Sequence, residues 1–301
     1  MVGLRDRETI RASGQTQSGQ PGEALPPGLY LVATPIGNLG DITLRALDVL
    51  KRADLVACED TRVTGKLLAH YGIRARLQRY DDHSGEDERA ALLGRLRAGA
   101  SVALVSDAGT PLVSDPGYKL LRAATAAGVA VVPVPGASAV LAALQVSALP
   151  PDRFLFAGFL PPKSAARKKA IAALAAVPAT LVFYETGPRL AVALADLAET
   201  LGPRPAAVAR ELTKLFEEAK RGTLADLAAD YREAPPPRGE IAIVVGPPAE
   251  EVASGADTDT LLERALASMS VRDAAAAVAE ASGRPKKEVY RRALQISERR
   301  R

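Results

Sequence analysis

Short apolar runs alternate with amphipathic segments from Leu29 onward, and in the first half of the chain the alternation is regular. The apolar runs there have the length of buried strands, at 29–34, 54–58, 101–106 and 130–134. The segments with helical spacing lie between or after them, at 43–52, 61–71, 86–98, 118–127 and 138–146. Repeated strand-then-helix units are typical of a largely parallel sheet covered on both faces, so this half is predicted to be an α/β domain.

The alternation resumes after Pro150-Pro151, which we interpret as a domain boundary. Further strands are predicted at 154–159, 179–184, 206–211 and 240–245. Further helices are predicted at 164–175, 188–200 and 223–232, whereas the segment near 213–221 is polar and receives neither assignment. The predicted organisation is a disordered tail at 1–26, α/β domains at 27–149 and 150–247, an acidic linker at 247–257, and a basic helical module at 258–301.

Composition narrows the class of protein. The chain has 301 residues, of which 48% are hydrophobic and 25% charged, as in ordinary globular domains. Its single cysteine, Cys58, excludes an intrachain disulfide, and two histidines without ligand spacing argue against a metal site. Apolar runs are far shorter than a membrane span. We therefore expect a cytoplasmic enzyme or binding protein without a membrane partner.

The net charge of +4 is unevenly distributed. Residues 284–301 carry eight Lys and Arg against two Glu, a balance of +6, so the rest of the chain carries −2. Ser282-Gly283 followed by Pro285 predicts a short turn between two helices, as in a helix-turn-helix. The module therefore either contacts a polyanion such as RNA or forms a hairpin that caps the other domains.

Four unusual loops follow strands, where open α/β sheets bind their ligands. They read ATPIGNLGD (33–41), EDTR (59–62), SDAGTPLVSDPG (106–117) and PVPGASA (133–139). Gly and Pro allow the backbone to approach a ligand closely while the loop stays rigid. No G-x-G-x-x-G opens a helix after the first strand, no phosphate-binding G-x-x-x-x-G-K-[ST] occurs, and the loops carry few cations. They suit a neutral or zwitterionic ligand.

Together with FAGFLPPK, VFYETGPRL, ARELTK and RGEIAIVV, these loops occur in one order between residues 28 and 246. In this the chain resembles the tetrapyrrole methylase superfamily of S-adenosylmethionine-dependent methyltransferases, and within it the branch that methylates a cytidine 2′-hydroxyl of small-subunit ribosomal RNA. The resemblance implies two α/β domains of the class III methyltransferase type with a cofactor cleft between them. It also implies a homodimer that acts on ribosomal RNA, within the assembled subunit.

The resemblance also implies the cofactor-binding residues, position by position. In the first domain they are Pro35, Asp107, Gly109, Thr110, Pro111, Leu112, Val113, Ser138 and Ala139. In the second domain they are Tyr184, Leu212, Ile241 and Ala242. Asp107 has the alternative role of a loop cap. The superfamily's frequent Gly-Asp-Pro reads Gly-Thr-Pro at 109–111, which favours the ribosomal RNA branch over the tetrapyrrole branch.

Methyl transfer to a hydroxyl is an in-line displacement that a base, or a cation near the developing alkoxide, would assist, and it needs no metal. The candidate catalytic residues are Arg62, Lys163, Glu211 and Lys214, each with a structural alternative as a helix charge, a solvated lysine or an ion pair. Two other functions stay open at this point. One is methylation of a tetrapyrrole or other small molecule, and the other is RNA binding or assembly without catalysis.

Overall fold

The protein is described by a computed structural model covering residues 24–81, 84–249 and 255–299. It divides into two compact units at the Pro247–Pro248 bond. Residues 1–23 of the predicted tail and 250–254 of the predicted linker lie outside the described residues.

The first sheet has five strands in the order β3-β2-β4-β1-β5, and every pairing in it is parallel, as predicted. The strands are β1 (Gly28–Val32), β2 (Leu55–Cys58), β3 (Leu77–Arg79), β4 (Ser101–Val105) and β5 (Val131–Val134). The helices are α1 (Leu44–Arg52), α2 (Thr61–His70), α3 (Glu86–Arg97), α4 (Tyr118–Ala126) and α5 (Ala139–Ser147), with a short 3-10 helix at Leu39–Asp41. The pattern missed β3, a three-residue edge strand without a buried side chain.

Alternate residues of β4 show that both faces of this sheet are covered. Ala103 and Val105 belong to a core with side chains of α1 and α2, whereas Val102 and Leu104 belong to a core with side chains of α3 and α4. Helix α5 instead packs against the second sheet. The four loops quoted above therefore begin at one edge of the first sheet, where its parallel strands end.

The second sheet has the order β6-β7-β10-β8-β9, and only β6 and β7 run parallel. The strands are β6 (Phe154–Phe159), β7 (Thr180–Thr186), β8 (Pro205–Arg210), β9 (Glu218–Thr223) and β10 (Glu240–Val245). The helices are α6 (Ser164–Ala172), α7 (Gly187–Leu201) and α8 (Leu224–Glu233). The segment near 213–221 had no assignment, but its second part forms β9, a polar edge strand that pairs with β8.

The second unit is a small helical bundle of α9 (Gly255–Ala265), α10 (Val271–Ser282) and α11 (Lys286–Arg299). Its core joins Leu262, Val278, Val289 and Ile296. Gly283 adopts a left-handed φ of 65° and ends α10, which produces the predicted turn before α11. Among the described residues, no helix has both the length and the apolar character needed to cross a bilayer.

Candidate active site

A cavity of about 360 Å³ lies in the first unit, between the loops of the first sheet and one face of the second sheet. Its size is within the range of small-molecule sites. Ten of the residues predicted to bind the cofactor line it: Asp107, Gly109, Thr110, Val113, Ser138, Ala139, Tyr184, Leu212, Ile241 and Ala242. Their role as cofactor ligands stays a prediction.

Three predicted cofactor residues do not line the cavity. Pro35 and Pro111 are buried beside it. Leu112 has a left-handed φ of 74°, and its side chain packs on the α3–α4 core of the first sheet. These three residues therefore flank the cavity without lining it, and their role as cofactor ligands also stays a prediction.

The loop at 106–117 is held by a compact set of hydrogen bonds. Thr34 N donates to Gly109 O (2.9 Å), and Gly109 N donates to Thr34 O (3.1 Å). The Thr34 hydroxyl donates to Ser106 O (3.1 Å), the Ser106 hydroxyl to Gly109 O (3.1 Å), and the Thr110 hydroxyl to Ala137 O (3.1 Å). Gly109 has a φ of 86°, which favours glycine. These bonds fix the backbone that faces the cavity.

Five acidic residues line the cavity, and none of its described lining residues is Lys, Arg or His. They are Glu59, Asp107, Asp115, Glu185 and Glu240. The carboxyl group of Glu185 is fully buried and pairs with Arg189 on the other face of the sheet, so the other four supply the acidic side chains of the cavity. Burial raises the pKa of Asp107, and the nearby negative charge of Asp60 raises it further, although Asp60 N also donates to the Asp107 carboxylate (3.0 Å). Such a site attracts a cationic group and repels a phosphate.

The opposite wall is a face of the second sheet. Tyr184 and Ala242 are partners across β7 and β10, and Tyr184 makes edge contacts with the rings of Phe156 (4.8 Å between centroids) and Phe159 (5.6 Å). Burial, followed by the negative charge of Asp115, raises the pKa of Tyr184 to about 12. This wall is therefore aromatic and apolar, with a phenol that stays protonated at neutral pH.

None of the four candidate catalytic residues lines the cavity. The Arg62 side chain is 86% exposed and pairs with Asp60 (2.6 Å), which also caps α2. Hydrogen bonds from Arg62 lower the pKa of Asp60. Lys163 is exposed and precedes α6 as its N-cap residue without making a side-chain cap bond. Both cations thus lie outside the acidic space.

Glu211 and Lys214 are closer to the cavity. Lys214 Nζ donates to Glu211 Oε1 (2.9 Å) and to Glu240 Oε2 (2.9 Å), and Glu240 is a lining residue. The hydrogen bond from Lys214, with one from the Glu240 backbone, lowers the pKa of Glu211. The predicted ion pair is thus present and extends to a carboxylate of the cavity wall.

The loop that carries this ion pair is strained. Glu211 and Thr213 have left-handed φ values of 50° and 67°, which are uncommon outside glycine and most unusual for a β-branched residue. A Cβ at Gly239 would lie 2.2 Å from Glu211 Oε1, so a glycine is needed opposite the Glu211 carboxylate. Such strained positions are frequent at functional sites.

The sequence predictions omitted four of the cavity acids and Phe159. Glu59 and Asp115 stand inside two of the quoted loops, and Glu185 and Glu240 stand inside VFYETGPRL and RGEIAIVV. The signal was their position at strand ends, or for Asp115 inside a long loop after a strand. A single sequence does not show which carboxylates from distant segments face the same space.

Two open α/β sheets that enclose such a cleft define the tetrapyrrole methylase class of fold, and comparisons with known proteins agree. Residues 28–228 match the family model of the tetrapyrrole (corrin/porphyrin) methylases, and residues 252–297 match that of the RsmI C-terminal HTH domain. The Thermus thermophilus uroporphyrin-III C-methyltransferase has the same fold, with 26% identity, a TM-score of 0.53, and coverage of 73% of this chain and 94% of the other. That protein has also been solved complexed with S-adenyl homocysteine.

Curated relatives match over nearly the full length. The ribosomal RNA small subunit methyltransferase I of Mesorhizobium japonicum is 52% identical, covering 95% of this chain and 97% of the relative. The protein of the same name from Erythrobacter litoralis is 55% identical, covering 93% and 99%. The chain therefore belongs to the tetrapyrrole methylase family, in its group of ribosomal RNA small subunit methyltransferases I.

Proposed function

We propose that this enzyme binds S-adenosylmethionine in the cavity and methylates a cytidine 2′-hydroxyl of small-subunit ribosomal RNA. The observation that carries the cofactor part is the cavity itself, with rigid Gly- and Pro-containing loops on one wall and acidic side chains around it. The acceptor part is supported by relatives above 50% identity whose names specify small-subunit ribosomal RNA.

The residues present fit this cofactor. S-adenosylmethionine carries a positive sulfonium and a positive amino group, for which a cavity lined by Asp107, Asp115 and Glu240 is electrostatically favourable. When bound, it supplies the electrophilic methyl group. Thr110, Ser138 and Ala139 would contact it from the loops, and Tyr184 and Ala242 from the second sheet.

The remaining polar groups divide into two sets. In this proposal Lys214, which is hydrogen-bonded to Glu211 and Glu240, stabilises negative charge on the acceptor oxygen, and Glu240 accepts the proton of the acceptor hydroxyl. Arg62 and Lys163 lie outside the acidic cavity, where RNA phosphates would not be repelled. We therefore assign the first set to chemistry and the second to RNA positioning.

The second unit adds an RNA-binding surface in this proposal. Lys286, Lys287 and Arg291 are exposed on α11, in the segment that holds the positive excess of the chain. Neutralising all three should weaken binding to small subunits and make that binding less dependent on salt. The slope of the logarithm of the binding constant against the logarithm of salt concentration should decrease in magnitude by about one for each RNA phosphate that is no longer neutralised. Unchanged salt dependence would remove the module from the RNA interface.

The central experiment is transfer of tritium from labelled S-adenosylmethionine to small ribosomal subunits and to protein-free ribosomal RNA, followed by nuclease digestion and identification of the labelled nucleoside. We expect label in 2′-O-methylcytidine and higher transfer to the assembled subunit. Label on a base atom would contradict the proposed acceptor. Cofactor binding without transfer to RNA would favour a small-molecule acceptor, and absence of cofactor binding would favour a non-catalytic RNA-binding or assembly protein.

We also propose a homodimer that works in the cytoplasm, where ribosomal subunits are assembled. The resemblance to dimeric superfamily members supports the dimer, as do the exposed apolar side chains of Leu44, Tyr118 and Leu141 on helices α1, α4 and α5. Light scattering at micromolar concentration tests this, and a monomeric mass would refute it.

A further inference from the structure

The segment FLPPK at 159–163, which joins β6 to α6, is held in place by hydrogen bonds from a buried arginine. Arg167 donates to the carbonyl oxygens of Pro161 (3.3 Å) and Pro162 (3.0 Å). Its guanidinium also pairs with Asp196 (2.7 Å), and both side chains are at least 90% buried. A buried ion pair with further hydrogen bonds holds its partners in one geometry.

A second arginine braces the same segment one residue earlier. Arg189 donates to the carbonyl oxygen of Leu160 and pairs with Glu185 (3.2 Å), whose side chain is fully buried. Three consecutive carbonyl groups of this segment therefore accept hydrogen bonds from anchored guanidinium groups. The side chains at its two ends, Phe159 and Lys163, are presented on a rigid backbone.

Phe159 lies at the opening of the cavity, because it lines the cavity and yet is 53% exposed. The register of β6 against β7 shifts between Phe156 and Phe159, and Gly158 at the shift has a φ of 67°. Irregularities of this kind redirect side chains and are frequent beside active sites. The Tyr184 ring contacts the Phe159 ring edge-on, at 61° between the planes, and so supports it from one side.

We infer that the Phe159 ring is the platform on which the target nucleobase stacks, an inference that rests on the proposed function. A nucleotide that brings its ribose to the cavity must keep its phosphates outside this acidic space, so its base and sugar face the opening. Bases recognised in RNA are unstacked and placed on aromatic side chains. Lys163, exposed four residues further along the same braced segment, is available to a phosphate outside the cavity.

The test compares Phe159→Leu and Phe159→Tyr with Lys163→Ala, using small ribosomal subunits and saturating S-adenosylmethionine at low and high salt. We expect Phe159→Leu to lower kcat/KM by about 5- to 150-fold through a higher KM, equally at both salt concentrations, because stacking does not depend on counterions. Phe159→Tyr keeps the ring and should stay within about threefold of wild type. The loss in Lys163→Ala should shrink as salt rises.

Binding of S-adenosylhomocysteine, measured by calorimetry, distinguishes stacking of Phe159 on the nucleobase from a contact between Phe159 and the bound cofactor. We expect the affinity of Phe159→Leu for it to stay within about threefold of wild type, a smaller change than the loss from stacking. The inference is overturned if Phe159→Leu keeps wild-type kcat/KM, if its loss shrinks with salt, or if cofactor affinity falls by the same factor as kcat/KM. A wild-type enzyme that binds cofactor but transfers no methyl group to subunits would instead refute the proposed function, and the base platform with it.

Discussion

The two walls of the cavity are built in different ways. The wall of the first sheet consists of loops that leave parallel strands, and its shape is fixed by backbone hydrogen bonds such as those between Thr34 and Gly109. The wall of the second sheet is a face of mainly antiparallel strands, and it contributes side chains such as Tyr184 and Ala242. One wall offers a shaped backbone, and the other offers apolar and aromatic surface.

This difference indicates a division of work. A loop wall with Gly109 in a left-handed conformation can follow a ligand closely, and it tolerates little change in side-chain size. The sheet wall is supported by the α7–α8 core on its other face, and by the buried Arg167 and Asp196 behind the segment at its edge. We therefore expect substitutions in the loops to affect ligand binding first, and substitutions behind the sheet to affect stability first.

The largest expected effect is on stability, from Asp196→Ala. Removing this carboxylate leaves Arg167 buried without its charge partner, which costs about 3–5 kcal/mol in free energy of unfolding. Urea denaturation measures the change. Glu199→Ala is the control, because Glu199 pairs with Lys168 while 67% exposed and should leave the urea midpoint nearly unchanged. Equal effects of both substitutions would contradict a buried support behind the second wall.

The second effect is on ligand binding, from Thr110→Phe in the loop wall. The larger side chain fills part of the cavity and removes the hydrogen bond to Ala137 O, so affinity for S-adenosylmethionine should fall about 100-fold while the protein stays folded. Calorimetry measures the affinity, and circular dichroism the fold. Thr125→Phe, on the exposed face of α4, is the matched control. Unchanged affinity in Thr110→Phe would place the ligand elsewhere.

The loop wall was predictable from the sequence because its determinants are local. Small residues, glycines and prolines after an apolar run reveal a βα loop without knowledge of any distant contact, and the strand-helix alternation indicates a parallel sheet. The structure agrees for β1, β2, β4 and β5.

The sheet wall was not predictable in the same way. Antiparallel pairing of β10 with β7 and β8 joins segments that are far apart in the chain, and alternation of elements does not specify strand direction. Strand β9 reads EAKRGT, without the apolar alternation of a half-buried strand, and it forms because β8 offers a free edge. The lining residues of this wall came from the resemblance alone.

A smaller effect concerns the phenol of the sheet wall. The pKa of Tyr184 is raised by burial from 10.0 to about 12, so the folded state favours the neutral phenol. The contribution of the neutral phenol to the free energy of unfolding is complete below pH 10, and it is lost as pH rises towards 12 because the unfolded state then releases the proton more readily. Between pH 9.5 and 12, the free energy of unfolding of Tyr184→Phe should therefore fall by about 1–3 kcal/mol less than that of wild type, as measured by urea denaturation. The exposed Tyr118→Phe is the control, and identical alkaline profiles for all three proteins would contradict burial of the phenol.

The smallest expected effect tests the ion pair beside the sheet wall, by Lys214→Met. Lys214 lowers the pKa of Glu211, a contribution to stability that is present above the ordinary value of 4.5 and is lost as pH falls through the lowered value. The variant should therefore be less stable than wild type by up to about 1 kcal/mol at pH 7, with the difference vanishing in acid. Exposed Lys169→Met is the control and should match wild type throughout.

Because Lys214 also contacts Glu240 of the cavity, turnover at saturating substrate should fall in Lys214→Met but not in Lys169→Met. If Lys214→Met keeps normal turnover but is less stable than wild type at pH 7 and not in acid, the ion pair has a structural role alone.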